Sequence, residues 1–177
     1  MPHRYVIADT HFHHANVIAY CGRPFRDVNH MDEILIRNWN NTVGNQDLIY
    51  MLGDFCLSSK FEVNEALCSR LNGRKVLVMG NHDRMQPIKY LQAGFRTATR
   101  KPIMVDPGVI LMHEPFEDPA AYVDPKSIYI FGHVHDKHCP MDDYPNCFCV
   151  SVERIGYRPI DLDKLIADIR KGRKNHD

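Results

Sequence analysis

Six runs of large apolar and β-branched residues punctuate the chain: YVIA (5 to 8), LIYML (48 to 52), KVLVM (75 to 79), VILM (109 to 112), IYIF (128 to 131) and CFCVSV (147 to 152). They are continuous rather than alternating, which is the pattern of strands covered on both faces. Between them lie stretches with helical spacing. In residues 29 to 43, Met31, Ile34, Leu35 and Trp39 fall near one stripe, with Asn29 as the expected cap. Residues 61 to 73 place Val63, Ala66, Leu67 and Leu71 inward and stop at Asn72-Gly73. Residues 163 to 171 read as a closing helix, and 171–177 as a frayed tail. Strands alternate with helices early and dominate later, which predicts an α/β chain whose mixed sheets, part parallel and part antiparallel, form a sandwich flanked by helices. One domain over residues 1–177 is expected.

The polar residues that end these runs are of one chemical kind. YVIA leads to Asp9 and His11, LIYMLG to Asp54, KVLVMG to Asn81, His82 and Asp83, VILM to His113, and IYIFG to His133 and His135. Ligands of open α/β sheets bind where the carboxyl ends of strands meet, so five strand ends should converge on one spot. The i, i+2 spacing of Asp9-Thr10-His11 and His133-Val134-His135 puts both side chains of each pair on one side of extended backbone. Gly53, Gly80 and Gly132 precede the ligand positions, where a missing Cβ permits a sharp turn and close approach.

Asp9, Asp54 and Asn81 with His11, His113, His133 and His135 form a donor set suited to first-row divalent cations such as manganese, iron, zinc or cobalt. Seven donors exceed the needs of one ion. A bridging carboxylate would hold two, about 3.5–4 Å apart. Any one Asp-x-His or His-x-His pair is a common accident, and Gly-Asn-His-Asp after a strand is also a serviceable turn. Five such elements in order, each at a strand end, are hard to obtain from a bland α/β domain.

Composition narrows the surroundings. The 177 residues are 44% hydrophobic, enough for a layered core, and carry 22 Lys plus Arg against 22 Asp plus Glu, so no overall field draws in nucleic acid or an anionic membrane. The apolar runs are strand length, and the opening MPHRYVIADTH lacks a secretory stretch, so a soluble, cytoplasmic chain is expected. The six cysteines are then expected as reduced thiols. The eleven histidines are the unusual count, and five of them sit at the ends of apolar runs.

The ordered motifs resemble the calcineurin-like metallophosphoesterase superfamily: Asp9-Thr10-His11, Gly53-Asp54, Gly80-Asn81-His82-Asp83, His113 and Gly132-His133-Val134-His135. DTHFHHANVI, CGRPF and SVERIGYRPIDL add a likeness to its small bacterial or phage-type branch. The resemblance implies a four-layer fold and a hydrolase of phosphomono- or phosphodiesters with two divalent ions, manganese first and iron, zinc, nickel or cobalt as alternatives. It assigns Asp9, His11, Asp54 and His135 to one ion, and Asp54, Asn81, His113 and His133 to the other. A hydroxide between the ions would attack phosphorus in line with the departing oxygen. His82 would face the phosphate, stabilising charge or protonating the leaving group. Many members steady this histidine with an aspartate three residues after the bridging one; here that position is Leu57, which leaves Asp83 as candidate partner, unless it caps the following helix.

Arg23 and Arg26 are candidate substrate ligands, because a guanidinium fork suits a phosphate and their loop follows the first ligands. Asn16 is a candidate hydrogen-bonding support for the metal shell, and the tandem His13 and His14 read as solvated. Glu114 and the loop after it are expected at one rim. Cys139, Cys147 and Cys149 beside His138 lack the Cys-x-x-Cys knuckle of a structural zinc site and read as packed thiols, like Cys56. The expected partner is a small phosphoester, not a membrane. A nuclease-like phosphodiesterase and a metal-free interaction scaffold of the same fold are the competing readings; the nuclease would want a basic groove with stacking groups, which the balanced charge does not advertise.

Overall fold

The computed structural model describes residues 2–172. Four strands run parallel in the first sheet: β1 (Arg4–Ile7), β2 (Leu48–Met51), β3 (Arg74–Val78) and β4 (Phe95–Thr99). A short β9 (Ile160–Asp161) pairs antiparallel with β1, giving the order β4-β3-β2-β1-β9. The second sheet has the order β5-β6-β7-β8, from Ile103–Asp106, Val109–Leu111, Ile128–Phe131 and Cys147–Cys149. Its β5–β6 pair is antiparallel and the rest parallel. Two mixed sheets flanked by helices make this the α/β sandwich that the apolar pattern predicts.

Each central strand is buried on both faces, which explains the unbroken apolar runs. Val6, Tyr50, Leu52 and Val78 turn towards the second sheet and meet Val109, Leu111, Ile128, Ile130 and Val150. Ile7, Ile49, Met51 and Leu77 turn the other way, onto the helices α2 (Val28–Thr42) and α3 (Phe61–Arg70). Met31, Leu35 and Trp39 supply the α2 stripe, one turn apart, and the Trp39 indole N–H donates to the Asn72 carbonyl at 3.0 Å. The amphipathic α6 (Leu162–Arg170) closes the inter-sheet core with Leu162, Leu165, Ile166 and Ile169. The outer face of the second sheet is covered by the segment that carries Cys139 and Met141.

Some local expectations shift. The α2 cap is Asp27, whose carboxylate accepts from the His30 N–H at 2.8 Å, because the helix starts before Asn29. On α3 the buried side chains are Asn64, Leu67 and Cys68, and Ala66 faces solvent. Strands β4 and β5 escape the apolar-run criterion since they are edges with an open face: in FRTAT only Phe95 is fully buried. The short helices α1 (Ala15–Tyr20), α4 (Pro87–Gln92) and α5 (Pro119–Tyr122) are too brief to show helical periodicity. The run at 147 to 152 is not one strand. It ends pairing at Cys149 and crosses to the first sheet, where Ala8 donates to the Val150 carbonyl at 2.9 Å and Val152 donates to Ala8 at 3.1 Å. Of the expected tail, Lys171 and Gly172 form a turn after α6, and 173–177 lie outside the described residues.

Candidate metal centre

The carboxyl ends of β1, β2 and β3 meet those of β6 and β7 at one end of the sandwich, and the crossing segment ties the two sheets together there. Beyond their strands the first two segments stay stitched side by side: Asp9 N–H donates to the Gly53 carbonyl, His11 N–H to Asp54 and Phe12 N–H to Phe55, at 2.9–3.0 Å. Side chains carried by these segments have little freedom to wander.

Two triads result. Asp9, His11 and His135 bring one donor atom each within 4.8 Å of one another, and so do Asp54, His113 and His133. Asp54 joins them, with Oδ2 3.4 Å from His11 Nε2 and Oδ1 3.6 Å from His113 Nε2. Asn81 completes the second group, its Oδ1 3.2 Å from both His113 Nε2 and His133 Nδ1, which are themselves 3.2 Å apart. All seven expected donors are therefore gathered at one place.

Whether this set fits a cation can be judged from its own energetics. Asp9, His11, Asp54 and His113 are each at most 5% exposed. Asp9 Oδ1 and His11 Nε2 are buried with no hydrogen-bond partner among the described residues. Such orphans cost on the order of 1–3 kcal/mol each if nothing answers them. Burial, helped by neighbouring imidazoles, drives the His11 pKa far below its ordinary value, so the ring is neutral and its nitrogen lone pair is available. Burial likewise raises the Asp9 carboxyl. Donors about 3.2 Å apart match the edges of a coordination shell with bonds of about 2.0–2.2 Å. Orphaned lone pairs, a neutral His11 ring and this spacing all suit a divalent cation.

The backbone is strained at the same spot. Non-glycine residues with left-handed φ among the described residues are Asp9, His11, His13, Asp54, His133, His135 and Tyr157, and five of these seven are expected ligands. An L-residue in this region costs roughly 1–2 kcal/mol, so the concentration marks a site where surrounding contacts force the geometry. Gly80 allows close approach: a Cβ there would stand 2.3 Å from Asp54 Oδ1 and 2.7 Å from the Asp54 nitrogen.

Around the donors lies a shell of fixed hydrogen bonds. His113 Nδ1 is 2.8 Å from the Leu52 carbonyl, which leaves Nε2 for the centre. Asp9 Oδ2 accepts from Ser151 Oγ at 2.6 Å and from the His133 N–H at 2.8 Å. His135 Nδ1 lies 2.9 Å from Glu153 Oε1, and Glu153 is in turn paired with Arg23 at 2.7 Å, both side chains being no more than 3% exposed. Burial works to raise the Glu153 carboxyl, but the His135 hydrogen bond and the Arg23 charge outweigh it and hold it below the usual range. Neither Glu153 nor Ser151 is singled out by the sequence; their signal is topological, since only the crossing segment brings them beside Asp9 and His135.

Arg23 takes a different place from that of a substrate ligand. Its guanidinium is spent on the Asp9 carbonyl (2.7 Å), the Thr10 carbonyl (2.9 Å) and Glu153, and it braces the first ligand turn from beneath. Arg26 lies on the surface, paired with its neighbour Asp27 at 3.2 Å, and Asn16 is exposed on α1. Asp83 neither steadies His82 nor caps a helix, because α4 begins only at Pro87. Its buried carboxylate accepts from the Asp54, Phe55 and Gly80 N–H groups at 2.8–3.0 Å, clamping the second and third ligand turns together. Burial raises this carboxyl to about 6, while the N–H donors pull it down. His82 is held by its backbone N–H on Asp54 Oδ1 at 2.9 Å, and its ring lies 5.2 Å from that of His11, with a buried Nδ1 that meets no partner among the described residues.

His14 is half-buried rather than solvated, with Nδ1 3.2 Å from His11 Nδ1 and its ring 6.0 Å from that of His82. His13 pairs with the buried Asp32 at 2.9 Å. Glu114 is exposed on the rim. None of the six cysteines is in a disulfide, five of them are buried, and burial pushes the Cys56 thiol up to about 12, an inert packed group. Among the described residues Cys139, Cys147, Cys149 and His138 do not form a ligand group.

Known proteins are similar to this chain. A family profile described as calcineurin-like phosphoesterase matches residues 3–103. The "Uncharacterized protein MJ1445" of Methanocaldococcus jannaschii is 38% identical over 180 residues, covering 96% of this chain and 92% of its own length. The "Gene 66 protein" of Mycobacterium phage D29 is 36% identical over 83 residues, 46% of this chain and 40% of that protein. The crystal structure of the protein of unknown function AQ665 from Aquifex aeolicus superposes with a TM-score of 0.72 at 29% identity, covering 94% of this chain and all of the other. With its ligand turns, its sandwich and these likenesses in hand, the chain belongs to the calcineurin-like phosphoesterase family.

Proposed function

We propose that this chain hydrolyses a small phosphomono- or phosphodiester with two divalent cations, manganese first among them. Family membership supports metal-dependent phosphoester hydrolysis in general. The finer reading is carried by one observation, that the carboxylate of Asp54 reaches both donor triads, 3.4 Å from His11 and 3.6 Å from His113. Cations held there supply charge neutralisation for the phosphate oxygens and acidify an attacking water.

The protein's own part is placement. Asp9, His11 and His135 would hold the first cation and Asn81, His113 and His133 the second, with Asp54 shared. His82 stands beside the first triad, its ring 5.2 Å from that of His11, where it would donate the proton that the leaving alkoxide needs. Glu153 accepts from His135 Nδ1 and so keeps the other ring nitrogen facing the centre, and Arg23 holds Glu153 ionised. No helix of the described residues is long and apolar enough to cross a membrane.

Protein purified with excess manganese is expected to carry two equivalents by elemental analysis; fewer than one would favour the scaffold reading. Asp54→Asn should abolish turnover of both p-nitrophenyl phosphate and its bis ester, by at least about 10³-fold, since it weakens both cation sites and charge stabilisation together. His82→Asn should slow poor leaving groups most, by about 10²–10⁴-fold, and a uniform loss across a leaving-group series would reject its role as acid. Glu153→Gln should weaken manganese binding by about 10–100-fold in a calorimetric titration. An unchanged dissociation constant would reduce the Glu153–His135 contact to packing.

A further inference from the structure

A cleft of about 490 Å³ opens directly off the second donor group. Asn81 and His113 form its inner wall, Met79 and Met112 its buried floor, and Arg100, Pro102, Glu114 and Phe116 its outer sides. No member of the first triad borders it, and neither does His82. Those groups lie under a separate rim, where His82 and His14 are 6.0 Å apart between ring centroids and His14 meets the 72%-exposed Tyr20. A phosphate centred on the donor cluster would therefore have two distinct directions in which to extend an organic arm. One is beside His82 and the other is the cleft.

The cleft has a definite chemistry. Arg100 is exposed and donates one N–H to the Asp83 carbonyl at 3.2 Å, and it forms no ion pair with a carboxylate of the described residues. Its remaining donors are available to an anion. Phe116 is half-buried, its ring held by contacts to Tyr122 (5.4 Å) and Tyr129 (5.7 Å), so it presents a fixed aromatic wall. Glu114 is exposed beside it and accepts from hydroxyl or N–H groups. A fixed flat wall, an unpaired cation and an acceptor describe a site for a flat heterocycle on a hydroxylated, anionic frame.

Resting on the phosphoesterase reading above, we propose that the cleft holds the retained arm of a phosphodiester, and that this arm is nucleotide-like: a base against Phe116 and a second phosphate on Arg100. Water adds to phosphorus, the P–O bond on the His82 side breaks, that arm departs as its alcohol with the proton from His82, and the proton given up by the water restores His82. The retained arm stays on its phosphate as the monoester.

Three diesters sharing one leaving group test this: p-nitrophenyl methyl phosphate, p-nitrophenyl thymidine 5′-phosphate, and the latter with an added 3′-phosphate. Each step should raise kcat/KM about tenfold in the manganese-loaded protein, from stacking first and then from the charged hydrogen bond. Phe116→Ala, with Phe116→Leu as the better-folded second variant, should erase the first gain, and Arg100→Ala the second, with Arg100→Lys restoring part of it. Equal kcat/KM for all three substrates, or variants that depress all three alike, would overturn the assignment. Should none of the three be hydrolysed, the phosphoesterase reading fails by itself, and calorimetric binding of thymidine 3′,5′-bisphosphate decides the cleft. There a dissociation constant about tenfold weaker in Arg100→Ala sustains it, and no difference overturns it.

Discussion

Carboxylates and imidazoles buried side by side with lone pairs pointing at one another are the constraint that the rest of this molecule answers. Without a cation, Asp54 with His11 and His113, and the facing nitrogens of His113 and His133, would be a costly arrangement in the low dielectric of the protein end-face. The fold must nonetheless hold them there before any cation arrives. It does so by setting every donor on a strand-end turn and then tying those turns to each other rather than to solvent. The Asp83 carboxylate is the plainest case: it spans the turns at Asp54 and Gly80 through three backbone N–H groups, and so fixes two donor-bearing segments relative to each other.

Strain is distributed in the same way. Left-handed backbone at Asp9, His11, Asp54, His133 and His135 turns each side chain away from the course of its strand and in towards the centre. Five such residues at about 1–2 kcal/mol each would consume much of an ordinary domain's stability if unopposed. Both sheets oppose them. The central strands carry apolar side chains on both faces, and the crossing segment from Cys149 to Val152 bonds to Ala8, so the two sheets cannot slide apart at the end that bears the donors.

Reading the chain in one dimension reveals the donors but not what holds them. Asp9, His11, Asp54, Asn81, His113, His133 and His135 are legible because each follows an unbroken apolar run, and a strand buried on both faces can place polar side chains only at its end. The helices at 28 to 42 and 162 to 170 are legible for a similar reason, since a long stripe leaves a period. Edge strands β4 and β5 leave none. Arg23 shows where the reasoning misleads: an arginine near a metal motif suits a phosphate, yet Arg23 faces inward because Glu153, 130 residues away in sequence, needs a cation. Ser151 and Glu153 have no local signature at all, and only the exchange of sheets by the crossing segment brings them to Asp9 and His135.

His82 is the point at which this chain parts from the pattern it resembles. With Leu57 where a carboxylate would steady the ring, and with Asp83 turned to backbone donors, its orientation comes from other contacts: the backbone N–H on Asp54 and the rings of His11 and His14 beside it. A ring oriented by packing lacks the fixed anchor that a carboxylate would supply, and its buried Nδ1 meets no partner among the described residues. On the phosphoesterase reading proposed above, turnover would then depend more heavily on how firmly the substrate is seated across the donor cluster than it would in a relative that keeps the aspartate.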